Sequence, residues 1–333
     1  MDDVVRALTA LEDAPLAALH GTRQIGPYEL IDLIGHGGMG RVWRARDLRL
    51  GREVALKELR TDRPIDAALP RFEQEALIGA RLQHPNIVPV HDAGVSDGTH
   101  YIVMPLVRGR SLGSILNDGP VGRERAAALV EKIAGALHCA HVQGIIHRDV
   151  KPANIVVDEA GEPHLLDFGL SKMSGGDARL TEAGYALGSP CYMAPEQIRK
   201  EVAPLSPRTD VHALGVLLYE LLTARLPFMA DDPNDIFWQI LRGDAPRLRS
   251  IDPSVPADLE AICAKAMHRD PAQRYASAAD LATDLRRFRE GQPVSARRVS
   301  TLRVALRHSP RVGWMATGAA ITALAITGVQ LLF

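Results

Sequence analysis

The chain has 333 residues, of which 46% are hydrophobic and 24% are charged, and its formal net charge is -1. This length allows one large or two-lobed core, and the composition argues against a disordered or fibrous protein. The near-zero charge argues against nucleic acid as a partner of the whole protein. The three cysteines lie far apart, which argues against a disulfide framework or a zinc site.

The first half of the chain shows the alternation that is typical of β-strands. Residues 1–27 have no signal peptide and form a predicted N-terminal extension. Strands are then predicted over 28–34, 41–46 and 53–59, a helix over 69–82, and two further strands over 87–90 and 101–104. These elements predict a small sheet with one inserted helix.

The second half is mostly helical. Apolar residues recur with helical spacing over 123–143, 211–222 and 257–267. The segment 214–222 is apolar nearly all round, which predicts a buried central helix. Together the two halves predict an α+β protein with a small β-rich N-terminal lobe and a larger, mainly α-helical C-terminal lobe.

A glycine-rich stretch follows the first predicted strand: Ile34, Gly35, His36, Gly37, Gly38, Met39, Gly40, Arg41 and Val42. Its G-x-G-x-x-G pattern occurs in dinucleotide-binding turns, in flaps over triphosphates and in plain turns. A dinucleotide turn requires a helix after the last glycine, whereas residues 41–46 alternate as a strand. A triphosphate flap predicts a lysine on the next strand, where Lys57 lies. On this evidence alone, the flap and a flexible turn with a surface lysine weigh equally.

Two later motifs decide between these interpretations. They are the segment His147-Arg148-Asp149-Val150-Lys151-Pro152-Ala153-Asn154 and the segment Asp167-Phe168-Gly169. With the flap and the strand lysine, this ordered set resembles the eukaryotic-like (Hanks-type) serine/threonine protein kinases of bacteria. The triplet at 268–270 also reads His-Arg-Asp, but it lacks the lysine and asparagine that must follow. We interpret it as a turn that ends a helix before Pro271.

The segment 158–161 is rich in turn residues and lies between two short apolar runs, which predicts a β-hairpin. Asn154 and Asp167 are symmetric about its midpoint, so we expect both side chains at the open end of the hairpin. Oxygen ligands of this kind suit Mg²⁺.

The resemblance implies a bilobal protein kinase fold over 28–289, with an N-lobe at 28–104, a hinge at 105–109 and a C-lobe at 110–289. It also implies a role for each matching position. The catalytic residues are Asp149, which accepts the proton, with Lys151, Lys57 and Glu75. The metal ligands are Asn154 and Asp167, which hold Mg²⁺. The ATP contacts are the flap from Ile34 to Val42, Lys57, and the backbone of Pro105 and Val107.

Two of these assignments depend on further observations. Glu75 is preferred to Glu73 as the carboxylate that holds Lys57, because Glu75 lies on the apolar stripe of its helix. Pro105 lacks an N–H group but keeps the carbonyl that adenine requires.

The resemblance also implies regulation and structural support. Thr181, seven residues before Gly188, is predicted to be an autophosphorylated site. Arg148 and Lys172 would receive its phosphate, with Arg71 as a further candidate. Three other positions match structural residues of the family. Asp210 matches the aspartate that steadies the catalytic loop, and Glu196 and Arg274 match a supporting ion pair.

The C-terminal segment has an uneven charge pattern. Between residues 286 and 311 there are eight arginines and one acid, Glu290, and residues 312–333 form a run of 22 without a charge. This pattern predicts a basic juxtamembrane linker at 290–311 and one transmembrane helix at 312–333, with the kinase domain on the cytoplasmic side of the cell membrane. A buried core helix is the alternative.

These observations predict an ATP- and Mg²⁺-dependent kinase that phosphorylates serine and threonine residues of protein substrates. They also predict a homodimer in which one copy of the chain phosphorylates the other. One alternative is a pseudokinase scaffold that acts by binding only. It is disfavoured because Lys57, Asp149 and Asp167 are all present. A small-molecule kinase is disfavoured by the Ala194-Pro195-Glu196 pattern.

Overall fold

The computed structural model of the protein describes residues 23–36, 40–59, 65–167, 190–243 and 245–297, with the backbone alone for 65–67. The chain divides into two compact units. Unit 1 comprises Met1–Ser114 and Cys139–Leu180, and unit 2 comprises Ile115–His138 and Thr181–Phe333. The lobe and hinge limits given above stay predictions.

Unit 1 contains a six-stranded antiparallel sheet in the order β1-β2-β3-β4-β6-β5. Its strands are β1 (Gln24–Ile25), β2 (Tyr28–His36), β3 (Gly40–Asp47), β4 (Arg52–Leu59), β5 (Asp92–Ser96) and β6 (Thr99–Pro105). The four strands predicted at 28–34, 41–46, 53–59 and 101–104 are confirmed. Residues 24 and 25, which the sequence placed in an extension, form the edge strand, and Ile25 is buried.

The strand predicted at 87–90 is wrong, because the backbone of this segment binds other partners. Ile87 makes an isolated parallel bridge to Leu165, and the amide of Val88 donates to the Leu165 carbonyl at 3.0 Å. The strand lies five residues later, where Asp97 and Gly98 both have positive φ angles of 49° and 75° and join β5 to β6. Such two-residue turns match the twist of the strands that they connect.

Helix α1 (Ile65–Arg81) confirms the predicted helix and begins four residues before the predicted start at 69. It contains Pro70, which removes one backbone hydrogen bond from the early part of the helix. Phe72 anchors its inner face, where it packs with Ala55, Ile102 and Met104 of the sheet. This packing orients the helix against β4 and β6.

A second sheet of unit 1 consists of β7 (Gly109–Ser111), β8 (Ile155–Asp158) and β9 (Pro163–Leu165). The predicted hairpin at 158–161 is confirmed, but its register differs from the symmetric pairing expected for Asn154 and Asp167. Ile155 pairs with Leu165, and the amide of Leu166 donates to the carbonyl of Asn154 at 2.8 Å. Leu166 therefore lies opposite Asn154, and Asp167 follows one residue later.

Most of the described helices have residues in unit 2. They are α2 (Leu112–Leu116), α3 (Arg123–Val142), α4 (Pro195–Ile198), α5 (Pro207–Thr223), α6 (Pro233–Arg242), α7 (Leu248–Ile251), α8 (Ala257–Ala266) and α9 (Ala278–Arg289), and α2 and α3 also contribute residues to unit 1. The helices predicted at 123–143, 211–222 and 257–267 are confirmed. Of the residues from Thr209 to Leu222, only Glu220 is not buried, which confirms the predicted central helix.

Close packing of α5 on α8 requires a glycine at position 215. A Cβ atom there would lie 2.7 Å from Cγ of Met267 and 2.8 Å from Cβ of Ala266. The α+β class predicted from the sequence is confirmed. Among the described residues, no helix is long and apolar enough to cross a membrane, and the predicted span at 312–333 lies outside those residues.

The C-terminal part of unit 2 is held by one buried carboxylate. Asp284 of α9 is 1% exposed and accepts hydrogen bonds from the Tyr275 hydroxyl at 2.9 Å, the Ser295 amide at 2.8 Å and the Ala296 amide at 3.0 Å. Val294 is buried beside them. The packed chain thus continues past residue 289, the predicted end of the kinase domain.

Asp284 is expected to make the stability of the fold depend on pH. Burial alone would raise its pKa, but the hydrogen bonds from Ser295, Tyr275 and Ala296 hold the pKa of Asp284 below its ordinary value. Its contribution is therefore complete above about pH 4, the pKa of an unfolded aspartate, and is lost as the pH falls through the lower folded pKa. Asp284→Asn is expected to lower the free energy of unfolding by about 2 kcal/mol at pH 7.

Urea denaturation of both proteins at a series of pH values measures this effect. The difference between the two proteins is expected to shrink as the solution is acidified below about pH 4. Glu290→Gln, at an exposed position of the same segment, is the control and is expected to leave stability unchanged. A difference that stays constant from pH 7 to pH 3 would contradict this role.

Candidate active site

The candidate site is built around one buried cation in unit 1. Lys57 lies on β4 and is only 6% exposed, and its Nζ donates to Oε1 of Glu75 at 2.5 Å and to Oδ2 of Asp167 at 2.7 Å. A buried charge is tolerated when it is paired and hydrogen-bonded. Burial favours the neutral amine, but the two carboxylates outweigh this and hold the pKa of Lys57 above its ordinary value. Lys57 therefore remains a cation.

Glu75 comes from the inner face of α1. It lies one helical turn after Phe72 and is 9% exposed, whereas Glu73 is exposed. The carboxylate that contacts Lys57 is thus that of Glu75. Burial raises the pKa of Glu75 above its ordinary value, whereas the neighbouring ammonium of Lys57 acts in the opposite direction and favours the carboxylate.

Asp167 has a strained backbone. Its φ angle is 40°, and that of Arg148 is 68°, in a region that residues other than glycine rarely adopt. Asp97 and Ala224, the other described non-glycine residues with positive φ, form a hairpin turn and a helix end. Such a backbone costs roughly 1–3 kcal/mol and clusters at functional sites. Burial opposes ionisation of Asp167, but the Lys57 ammonium holds its pKa below the ordinary value.

His147 connects the segment that contains Asp149 to the segment that leads to Asp167. Its ring is fully buried, with Nε2 3.1 Å from the carbonyl oxygen of Leu166, and its Nδ1 accepts the amide hydrogen of Asp149 at 3.3 Å. The tautomer with its hydrogen on Nε2 satisfies both contacts. His147 was not predicted from the sequence as a site residue, although its place at the head of the His-Arg-Asp motif was a usable signal.

Asp149 is held by two neighbours within five residues. Its Oδ2 lies 2.9 Å from Nζ of Lys151 and accepts from Nδ2 of Asn154 at 3.2 Å. The same amide nitrogen donates to the backbone carbonyl of Asp149 at 2.8 Å. The side-chain nitrogen of Asn154 is thus directed at Asp149, and this orientation leaves its Oδ1 as an acceptor for another group.

The second His-Arg-Asp triplet provides a structural comparison. The amide of Asp270 also donates to Nδ1 of its own histidine, His268, at 3.1 Å. Its carboxylate, however, accepts the amide of Ala272 at 2.9 Å and caps the short turn at Pro271–Gln273. The triplet alone therefore specifies a local turn, and the residues that follow it distinguish the candidate site.

The glycine flap lies at the ends of β2 and β3, and Gly37, Gly38 and Met39 lie outside the described residues. Gly40 is confined by the neighbouring strand, because a Cβ atom there would lie 2.3 Å from the carbonyl oxygen of Glu58. Gly35 has ordinary space, with Cβ of Val42 at 3.7 Å. Packing within the sheet thus requires a glycine at position 40 but not at 35.

The flap also contributes exposed side chains. Ile34 is 49% exposed, and His36 and Arg41 are exposed as well.

Pro105 ends β6 and pairs with Val54 of β4.

The remaining candidates lie in three places. Val107 follows β6 and is half-buried. Thr181 and Lys172 lie outside the described residues. In unit 2, Asp210 is buried.

Glu196 and Arg274 are also brought together in unit 2. The guanidinium of Arg274 donates to the Glu196 carboxylate through two hydrogen bonds of 2.7 and 2.9 Å, and both side chains are fully buried.

The chain matches known protein families and structures. The protein kinase domain family matches residues 28–285. The chain is 39% identical over 280 residues to the serine/threonine-protein kinase PknB of Mycobacterium leprae. It is 38% identical over 270 residues to the serine/threonine-protein kinase PrkC of Bacillus subtilis. These alignments cover 82% and 80% of this chain but 45% and 41% of the two relatives, so it spans less than half of their length.

Among solved structures, the kinase domain of Mycobacterium tuberculosis PknI matches with a TM-score of 0.61 and 28% identity, covering 81% of this chain and 98% of that chain. These findings confirm the protein kinase fold that the motifs predicted, with its β-sheet N-lobe and helical C-lobe.

The different surroundings of Gly40 and Gly35 are testable. Gly40→Ala is expected to lower the free energy of unfolding by about 1–3 kcal/mol, because the added methyl group overlaps a backbone carbonyl that cannot move freely. Gly35→Ala is the matched control and is expected to change it by less than about 0.5 kcal/mol. Urea unfolding of the two variants measures both values. Equal midpoints would contradict the close approach of β3 and β4 at Gly40.

Proposed function

This chain belongs to the protein kinase domain family, and from that premise we propose that the whole protein transfers the γ-phosphoryl group of ATP to serine and threonine hydroxyls of other proteins. A domain of this family uses ATP and a divalent metal ion. The observation that carries the proposal is the placement of Lys57 between Glu75 and Asp167. In the same unit, Asp149 is held by Lys151 and Asn154.

We propose Mg²⁺ as the metal. Asp167 offers a carboxylate and Asn154 an amide oxygen, both of them hard oxygen ligands. The described residues contain no cluster of three or more acidic, histidine or cysteine side chains that could hold a metal by themselves. A site with few protein ligands suits Mg²⁺, which keeps several waters and completes its shell with substrate phosphates. When bound, the ion neutralises charge on those phosphates.

The residues of the site divide the remaining work. Lys57, kept charged and fixed by Glu75, would grip the α- and β-phosphates. Asp149 would accept the proton of the acceptor hydroxyl, and the ammonium of Lys151, 2.9 Å from its Oδ2, would help to hold that carboxylate in place. Because phosphoryl transfer has a loose transition state, fixed positions and fixed charges supply most of the rate enhancement.

Asp149→Asn tests the catalytic assignment. The amide keeps the size of the side chain but cannot accept the proton, so kcat is expected to fall by about 10²- to 10⁴-fold with little change in the KM for ATP. Transfer of labelled phosphate to a generic protein substrate measures both parameters. Asp270→Asn, in the second His-Arg-Asp triplet, is the matched control and is expected to keep the kcat of the unmodified protein.

Two results would contradict the proposed function. Absence of transfer by the unmodified protein would favour the scaffold that acts by binding only. An Asp149→Asn variant with unchanged kcat would place the catalytic base elsewhere.

We also propose that the protein phosphorylates itself at Thr181 in trans, within a homodimer. The proposal rests on the position of Thr181 between the Asp167 motif and the Ala-Pro-Glu motif, and on Arg148 and Lys172 as cations that could bind the phosphate. Incubation of an Asp149→Asn protein with active protein is expected to phosphorylate the inactive partner at Thr181. Phosphopeptide mapping that finds Thr181 unmodified, or full activity in a Thr181→Ala variant, would refute the assignment.

Finally, we propose that residues 312–333 cross the cell membrane once, with the kinase domain in the cytoplasm. Support comes from the run of 22 uncharged residues and the arginine-rich segment before it. The full chain is expected to sediment with membranes, and a variant that ends at Ser309 is expected to remain in the soluble fraction. Identical partitioning of the two proteins would refute the span.

A further inference from the structure

Glu58 is a buried carboxylate on the face of the six-stranded sheet opposite to Lys57. It follows Lys57 on β4, and successive residues of a strand point to opposite faces of a sheet. Lys57 points to the side of Glu75, whereas Glu58 lies on the side where Leu56 and Tyr101 pack together. The side chain of Glu58 is only 5% exposed, so its charge requires a partner.

Two arginines share this carboxylate. Nη2 of Arg23 lies 2.7 Å from Oε2 of Glu58, and Nη1 of Arg23 donates to Oε1 at 3.3 Å. Nη1 of Arg41 lies 3.5 Å from the same Oε1. Among the described residues, neither guanidinium has a second anionic partner. Removal of the charge of Glu58 would therefore leave two neighbouring cations without an anion.

Arg23 is also held by contacts that do not involve Glu58. Its carbonyl accepts the amide of Leu30 of β2 at 2.9 Å. Its guanidinium lies over the ring of Trp43, with 5.8 Å between Cζ and the ring centroid. Arg41 has no such additional contact in the described part of the chain. Of the two arginines, Arg41 is thus the one whose position depends on Glu58.

Glu58 contacts both residues at which β3 begins. Its carbonyl oxygen lies where a Cβ atom of Gly40 would be placed, and Arg41 is its direct partner across the two strands. Pairing at the end of a strand has fewer neighbours to hold it. Opposite charges on directly paired residues stabilise such an end. Glu58 thus fixes the end of the glycine-rich stretch relative to Lys57, its neighbour on β4.

We propose that Glu58 is a positioning residue for the nucleotide. By holding Arg41, it keeps the backbone at Gly40 and Arg41 in place beside the strand that carries Lys57, the proposed phosphate-binding lysine. The guanidinium of Arg41 lies with Glu58 on the face opposite to Lys57, so it acts through its strand and not by contact with ATP. The inference rests on the proposed function in that the site binds a nucleotide.

Nucleotide binding by the full chain measures this role without phosphoryl transfer. Isothermal titration with ADP and Mg²⁺ is expected to give a Kd about three- to tenfold higher for Glu58→Gln than for the unmodified protein. Glu53→Gln is the matched control and is expected to leave the Kd unchanged. Glu53 also lies on β4 and binds an arginine of β3, Arg44, at 3.2 Å, but it is distant along the strand from Gly40.

Variants of the two arginines separate positioning from a general loss of stability. Arg41→Gln is expected to raise the Kd as much as Glu58→Gln, and the double variant is expected to bind no more weakly than either single variant. Arg23→Gln is expected to change the Kd by less than about twofold, because the pair of Glu58 and Arg41 remains. In steady-state assays of Glu58→Gln, the KM for ATP is expected to rise with the Kd while kcat stays unchanged.

Several outcomes would overturn the proposal. Equal Kd values for Glu58→Gln and Glu53→Gln are the first, and an unchanged Kd in Arg41→Gln is the second. Additive losses in the double variant would mean that the two residues act separately. Failure of the unmodified protein to bind ADP would overturn it as well. A protein that shows the expected Kd differences but transfers no phosphate would support the positioning role and refute the proposed function.

Discussion

The organisation of unit 1 depends on a single requirement, which is that the charge of Lys57 must be neutralised where it is buried. The lysine lies on the inner strand β4, where it pairs with Val42 of β3 on one side and with Ile102 of β6 on the other. Its two anions come from elements far apart in the chain, Glu75 on α1 and Asp167 after β9. Removal of either anion leaves a buried cation with half of its compensation, so the three elements stabilise one another.

Backbone hydrogen bonds make this arrangement geometrically possible. The segment after α1 pairs with the hairpin of β8 and β9: the amide of Val88 donates to the carbonyl of Leu165, and the amide of Leu165 donates to the carbonyl of Asn86 at 2.9 Å. The side chain of Asn86 also donates to the carbonyl of Pro163 at 2.7 Å. These contacts join the end of the helix that carries Glu75 to the strand that precedes Asp167. His147 then connects the same hairpin to Asp149.

The pairing of the segment after α1 with strand β9 also shows why some elements could be predicted from the sequence and others could not. Periodicity was sufficient for strands β2, β3 and β4, the helix that carries Glu75 and the buried helix α5, because local side-chain patterns determine those elements. It failed at residues 87–90, an apolar run that resembles a strand. There the amide of Val88 donates to Leu165, nearly 80 residues away, and the amides of Ile87 and Val90 donate to the carbonyls of His84 and Gly79. The Asp97-Gly98 pair was the local signal for the correct strand.

Other features required three-dimensional information. The hairpin register placed Leu166, not Asp167, opposite Asn154, because the exact alignment of two strands is not encoded in the midpoint of the turn. The contact between His147 and the carbonyl of Leu166 also depends on two segments that meet only in the folded chain. In contrast, the preference for Glu75 over Glu73 could be derived from the sequence, because Glu75 lies on the apolar stripe of its helix. The same position on that stripe explains why Glu75 is buried.

The most direct test of this account compares those two glutamates in the full chain. Glu75→Gln keeps the size of the side chain but removes the charge that fixes Lys57, and Glu73→Gln makes the same change at an exposed position two residues away. Steady-state kinetics with ATP as the varied substrate is expected to give a kcat/KM that is about ten- to a hundredfold lower for Glu75→Gln and unchanged for Glu73→Gln. Equal kcat/KM values for the two variants would contradict the claim that the buried pair of Lys57 and Glu75 organises the site.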